Sequence, residues 1–377
     1  MTRRDHNLTA IATSHRKPQK VLMQSLLGAF LISALVLTIS ATSAAQLSAS
    51  NQSCAYAVQI APEPPACFDA TPHKRTCVTV AAGVELQVLD WGGADNPETM
   101  VLLTGYGDNA HVYDGFAYQF TDYFHVIGIT RRGFLPSSQP DSGYDVDTRA
   151  HDDIEVLKQL GISKAVFVGH SLAGSELSKL GMKYKSYVEQ LVYLDAHDLA
   201  KRFELPDIPG PPYKSGIDDR SLQIFQAAQA RFENTLEPIQ AACPGLKFDA
   251  RGAILGSTTP DWVGDQIFAG IKENQNPTVD WSQIDAPRLG VFDQPSVQGR
   301  LPYYWYLSPS EQLVFDTNWP AIVQWYADTT ALFQQPNPGK PTPVVYLLPD
   351  APHYFYISEQ AFVVKAMREF LLGRVGH

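Results

Sequence analysis

The sequence predicts an α/β protein: a mostly parallel central sheet with helices on both faces and a helical cap inserted late in the chain. Three observations predict it. Short apolar, β-branched runs alternate with helical periodicity from about 77 to 194 and again from 288 to 372; such alternation builds a parallel sheet covered on both sides. The alternation lapses over 200–285, where Pro, Gly and long polar helical stretches fill the chain. Between a strand and a helix stands Gly169-His170-Ser171-Leu172-Ala173-Gly174, which places a serine in a tight turn at a strand's carboxyl end.

The elements follow in order. Residues 46–75 are rich in Ser, Ala and Pro and read as an irregular arm. Cys77–Ala81 and Glu85–Trp91 form a hairpin around Ala82-Gly83. Met100–Leu103 is a buried strand, ending in Thr104-Gly105-Tyr106-Gly107. A short helix over 112–120, a strand His125–Ile129 and a helix from about Asp147 to Leu160 lead to the strand Ala165–Val168. Leu172, Leu177, Leu180 and Tyr184 then recur at helical spacing. Leu191–Leu194 is the next strand. After the cap come a strand Arg288–Phe292, a helix near 318–334, a strand Pro343–Leu348 and a last helix near 358–372. The core therefore comprises 76–199 and 286–377, and the cap 200–285.

Residues 1–45 stand apart. Arg3, Arg4, Arg16, Lys17 and Lys20 precede a nearly continuous apolar run, Val21–Ile39, and Ser43-Ala44-Ala45 offers a cleavage site, so the sequence predicts a signal peptide and an exported protein. The alternative is an anchor, because 21–39 approaches the length that spans a bilayer. Once the leader is cleaved, no stable membrane association is expected. Four cysteines, at 54, 67, 77 and 243, suit disulfides after export; they allow three pairings. With a net charge of −10 and 18% charged residues, nothing points to nucleic acid. There is no C-x-x-C pair and no metal-ligand spacing, and His151-Asp152-Asp153 and His197-Asp198 read as surface residues.

A serine hydroxyl becomes a competent nucleophile only when a base takes its proton and a carboxylate orients that base. His197, His353 and His377 follow Ser171. His377 is terminal, and His197 comes before any acid could follow. His353 directly follows the strand ending at Leu348, so its loop returns to the sheet edge that carries Ser171. Two acids end strands between them. Asp195 lies 24 residues after Ser171, one helix plus one strand; Asp293 ends the strand 288–292. Asp195 is preferred, because Asp293 runs into Gln294-Pro295 with no glycine-rich turn to aim it inward. Oxyanion donors are expected from the N–H groups of Leu172 and Tyr106.

From about Val78 onward the chain resembles the α/β-hydrolases with a cap. Residues 169–173 match their G-x-S-x-G nucleophile elbow, with Ala173 for the last glycine. Thr104-Gly105 takes the place of the usual His-Gly of the oxyanion loop, a change of side chain that leaves a backbone donor possible. Ile129-Thr130-Arg131-Arg132-Gly133-Phe134, before Ser137-Ser138, resembles the family's Arg-Gly-x-Gly-x-Ser loop, departing at Leu135-Pro136. Tyr193-Leu194-Asp195-Ala196 resembles the acid-bearing strand end of the haloalkane dehalogenases; that branch and the related epoxide hydrolases use an aspartate nucleophile, where this chain has Ser171.

The resemblance implies a serine hydrolase acting on a carboxylic ester or similar acyl compound, without metal or organic cofactor. The same triad serves amide, lactone and carbon–carbon bond hydrolysis. A binding protein that kept only the fold is the alternative of another class. Aromatics in the cap (Phe203, Tyr213, Phe225, Phe232, Trp262) and beyond it (Tyr303–Tyr306, Tyr354–Tyr356) favour a small, apolar substrate. Nothing in the sequence fixes an oligomeric state.

Overall fold

The computed structural model describes residues 72–106, 108–134, 136–199, 202–209, 261–272, 279–299, 304–351 and 353–373. The leader, nearly all of the arm, most of the cap and Cys54, Cys67 and Cys243 lie outside the described residues, as do Tyr213, Phe225 and Phe232.

Eight strands form one sheet: β1 (Lys74–Ala81), β2 (Val84–Gly92), β3 (Thr99–Leu103), β4 (His125–Ile129), β5 (Ala165–His170), β6 (Val188–Leu194), β7 (Arg288–Gln294) and β8 (Val344–Pro349). Their order is β1-β2-β4-β3-β5-β6-β7-β8. The hairpin β1–β2 and the β2–β4 pair are antiparallel, and every pair from β4 to β8 is parallel. The described α-helices are α1 (Asp114–Ala117), α2 (Val146–Gln159), α3 (Ala173–Lys183), α4 (Asp261–Lys272), α5 (Pro309–Gln334), α6 (Phe355–Ser358) and α7 (Gln360–Leu371).

The two-residue period of the strands sorts their side chains to opposite faces. Met100, Leu102, Val126, Val166, Val168, Val192 and Leu194 pack against Tyr113, Phe116 and Phe120 and against Val363, Met367 and Phe370 of α7. Val101, Leu103, Ile127, Ile129, Phe167, Leu191 and Tyr193 pack against Ile154 and Leu157 of α2 and Leu177 and Leu180 of α3. Both faces are thus covered, as the alternation predicts. Each large apolar side chain buried this way contributes about 1.5–3 kcal/mol relative to exposure.

Several boundaries differ from the expectation: β6 begins at Val188 rather than Leu191, and β5 and β7 each run two residues further. β1 begins at Lys74 rather than Cys77, because Lys74 and Arg75 pair with Asp90 and Leu89 of β2. Helix α5 begins at Pro309, not near 318. Ser308 and Glu311 form a capping box there, with Pro309 at the first helical position. Pro320, which resembles a helix start in sequence, lies inside the helix. Among the described residues, no helix is long and apolar enough to cross a membrane.

Candidate active site

The carboxyl ends of β5, β6, β7 and β8 share one edge of the sheet because these strands are parallel neighbours. Three of the turns leaving that edge carry a non-glycine residue in the left-handed region: Ser171 (φ 53°), Asp195 (φ 44°) and Asp350 (φ 49°). Such a conformation costs on the order of 1–3 kcal/mol and persists where the surroundings over-determine it. Here each N–H bonds a neighbouring strand: Ser171 to Leu194 O (3.2 Å), Asp195 to Val291 O (2.9 Å) and Asp350 to Gln294 O (3.2 Å).

Close approach explains the residues around the serine. A Cβ on Gly169 would stand 2.8 Å from Ala173 Cβ, and one on Gly174 would stand 2.4 Å from the Ala196 carbonyl oxygen. Glycine at 169 thus makes room for the methyl group of Ala173. Glycine at 174 lets α3 touch the backbone just past Asp195.

The structure brings His353 to Asp195, with Nδ1 2.5 Å from Oδ2. Asp195 is buried and the His353 side chain is 35% exposed. The other carboxylate oxygen, Oδ1, accepts the Asp293 N–H at 3.1 Å and lies 3.3 Å from His197 Nε2. Burial alone would raise the Asp195 carboxyl; the hydrogen bonds and charges of His197 and His353 override it and hold the group well below the usual carboxylate range. Asp293 lies beside this pair and accepts the Ala351 N–H at 2.9 Å. Burial first, and the Asp195 charge second, push its carboxyl up to about 9. Among the described residues no hydrogen bond joins the Ser171 hydroxyl to His353, a contact that often tightens only with substrate.

Two buried histidines stand beside the His353–Asp195 pair, one with no role in the sequence reading and one read there as a surface residue. His170 is wholly buried, and its Nε2–H donates to the His353 carbonyl oxygen at 2.9 Å. Its ring lies 4.4 Å from that of His353. Burial, then the neighbouring His353, push its pKa well below the ordinary histidine value, so it is a neutral donor. Within the motif it fills the variable place before the serine, and its partner is 183 residues away. His197 is not a surface residue: it is 4% exposed, stacked on Phe292, with Nδ1 3.0 Å from Thr329 Oγ1. Its place two residues beyond a strand-end acid was the available signal. Asp152 and Asp153 are likewise buried on α2, and Asp152 takes two hydrogen bonds from Arg132, at 2.6 and 2.7 Å; His151 is exposed, as expected.

The loop after β3 is tied to α3 by a buried charge network. Arg131 donates to Thr104 O (2.7 Å), Gly105 O (2.8 Å) and both oxygens of Glu176 (3.0 and 2.5 Å). Arg149 donates to Glu176 from the other side at 2.9 Å. A Cβ on Gly105 would come within 2.9 Å of Asp108 and His170 side-chain atoms, so glycine is required there. Leu172 precedes the first residue of α3, where backbone N–H groups have no partner inside the helix. Tyr106 packs on Phe134 and on Phe268 of α4, and Leu172, Val263 and Ile267 complete that apolar cluster. Helix α4 thus packs on the side chains of both residues expected to supply the oxyanion donors. Trp262 sits against Tyr144, while Tyr354, Phe355 and Tyr356 belong to the core.

Breaking this network should cost stability. Glu176→Gln leaves two buried guanidiniums without their carboxylate and is expected to destabilise by about 3–5 kcal/mol in urea unfolding. Burial would raise the Glu176 carboxyl, but Arg131 and Arg149 hold it below its ordinary value. Its stabilisation is therefore complete above the unfolded value of about 4.3 and lost as pH falls below it. Wild type and variant should converge in acid; a constant gap between them down to acid unfolding would contradict the account.

The sheet order, the strand-end turns and the elbow define an α/β-hydrolase fold. The family profile described as alpha/beta hydrolase fold matches residues 98–241. A bifunctional esterase/perhydrolase of Acinetobacter calcoaceticus is 28% identical over 213 residues, 55% of this chain and 74% of that protein. A non-heme chloroperoxidase of Streptomyces lividans is 33% identical over 103 residues, 27% of this chain and 37% of that one. A solved N-acyl homoserine lactone degrading enzyme superposes with a TM-score of 0.50 at 20% identity, covering 78% of this chain and all of that one. The chain has the α/β-hydrolase fold, and these two sequence relatives are named as enzymes.

Proposed function

We propose that the protein is an exported serine hydrolase that cleaves a carboxylic ester or related acyl compound through an acyl-enzyme on Ser171. The observation that carries this reading is the 2.5 Å contact of His353 Nδ1 with buried Asp195, beside a serine held at φ 53° on the neighbouring strand end. Asp195, kept ionised, fixes His353 with its proton on Nδ1, so Nε2 is left to accept the serine proton. Ser171 attacks the carbonyl carbon, and the N–H groups of Leu172 and Tyr106 hold the oxyanion. His353 returns the proton to the departing alcohol and then deprotonates the water that releases the acid. The esterase activity named for the Acinetobacter relative supports the ester class. The cluster of Tyr106, Phe134 and Phe268 beside Leu172 supports an apolar acyl or alcohol group.

The leader-like first 45 residues support export, and so do the four cysteines, an even number suited to disulfides after export. One experiment addresses chemistry and export together. Exported protein is treated with a fluorophosphonate, which reacts only with an activated serine, and weighed intact with and without reduction. The expected mass is that of a chain beginning near Gln46, with one probe on Ser171 and at least one reducible bond. An unlabelled protein would overturn the serine chemistry; a full-length or disulfide-free one would overturn the export reading. p-Nitrophenyl esters of graded acyl length then define the substrate size.

A further inference from the structure

We propose that the protein carries a zinc site, separate from the serine chemistry, formed by His73, His111 and Asp114. The sequence shows no ligand spacing because His73 precedes β1, whereas His111 and Asp114 belong to the helical segment after β3. Folding brings their ligand atoms within 4.8 Å of one another. His111 Nδ1 lies 3.1 Å from Asp114 Oδ2, and His73 Nδ1 lies 3.7 Å from Asp114 Oδ1. The two imidazole rings meet edge-on, 4.9 Å between centroids. A tetrahedral Zn²⁺ bound at about 2.1 Å by each donor holds its ligand atoms roughly 3.4 Å apart. His111 and His73 approach different oxygens of the Asp114 carboxylate, at separations on either side of that value, so one oxygen turning between the two imidazoles closes a three-donor set.

The donor types also point to zinc. Two imidazoles and one carboxylate, with a fourth position for water, suit a borderline divalent ion better than calcium or magnesium, which take oxygen ligands. His111 and Asp114 are buried, so the site is sheltered, and half-buried His73 closes it from outside. The supporting shell is already in place. Trp91 Nε1–H donates to Asp114 Oδ1 at 3.1 Å, as outer partners do for ligating carboxylates. The His111 backbone N–H is held by the Asn109 side chain at 3.1 Å. Zinc would replace the proton shared between His111 Nδ1 and Asp114 Oδ2, releasing it to solvent. Its effect would be to pin the segment entering β1 to the helix beside the core.

The test uses tag-free mature protein, stripped with a chelator and titrated with Zn²⁺ alone or Co²⁺ alone. The expected result is one zinc per chain, a melting temperature raised by several degrees, and the visible absorption of four-coordinate Co²⁺. His73→Gln and Asp114→Asn should each weaken zinc binding by at least about a hundredfold, since even outer-partner changes cost 10–100-fold. His73→Gln alters a half-buried residue ahead of β1, so its zinc-free melting temperature should match wild type and keep the test valid if Asp114→Asn folds poorly. Ser171→Ala should bind zinc as wild type does. No binding at micromolar zinc, or equal binding by wild type and His73→Gln, would overturn the site.

Discussion

Ser171→Ala should give a folded protein whose ester hydrolysis has fallen by about four to six orders of magnitude, the loss seen when a triad nucleophile is removed. Alanine meets the same left-handed backbone as serine, and the Ser171 N–H bond to Leu194 O is a main-chain bond that the change leaves intact. Thermal unfolding should therefore move little while turnover and fluorophosphonate labelling vanish together. Turnover that survives in a preparation free of wild-type enzyme would remove Ser171 from the mechanism.

The acid separates two neighbouring aspartates. Asp195→Asn puts an amide opposite His353 Nδ1, which favours the tautomer with its proton on the wrong nitrogen. A loss of at least about a hundredfold in kcat at neutral pH is expected. Asp293→Asn should lose far less, because the Asp293 carboxyl serves the Ala351 N–H and not His353. Its stability should move the other way. The Asp293 carboxyl is pushed up to about 9 in the fold, so folding at neutral pH forces it to take up a proton. A group raised in this way costs stability that grows as pH rises above the unfolded value of about 3.9 and is full above the folded one. Asparagine needs no such uptake, and the melting temperature of Asp293→Asn should rise by a few degrees above pH 7. Reversed kcat rankings would assign the orienting role to Asp293.

Most of the sheet was readable because each strand pairs a local apolar run with a local punctuator. β4 has the bounds its residues suggest, and Gly83 turns the β1–β2 hairpin at φ 72°. The elbow was readable for the same reason: strand, serine and helix are contiguous. His170 and His197 were not, since their roles depend on atoms brought from His353 and Thr329 by the fold. The start of α5 was hidden by Pro320, whose usual position at a helix's first turn competed with the weaker Ser308–Glu311 signal. The choice between Asp195 and Asp293 rests on which strand-end turn aims inward. That is a property of backbone torsion which composition does not reveal.

The contact between Gly174 and the Ala196 carbonyl has a consequence for how such an enzyme diversifies. The long excursion between β6 and β7 departs only after the chain has passed this clamp. Change in that excursion therefore leaves the spacing of the two turns alone, and reaches the site through α4, which packs on Leu172 and Tyr106. New substrate preferences can arise in that excursion while the turns at Ser171 and Asp195, seated one against the other, keep their spacing.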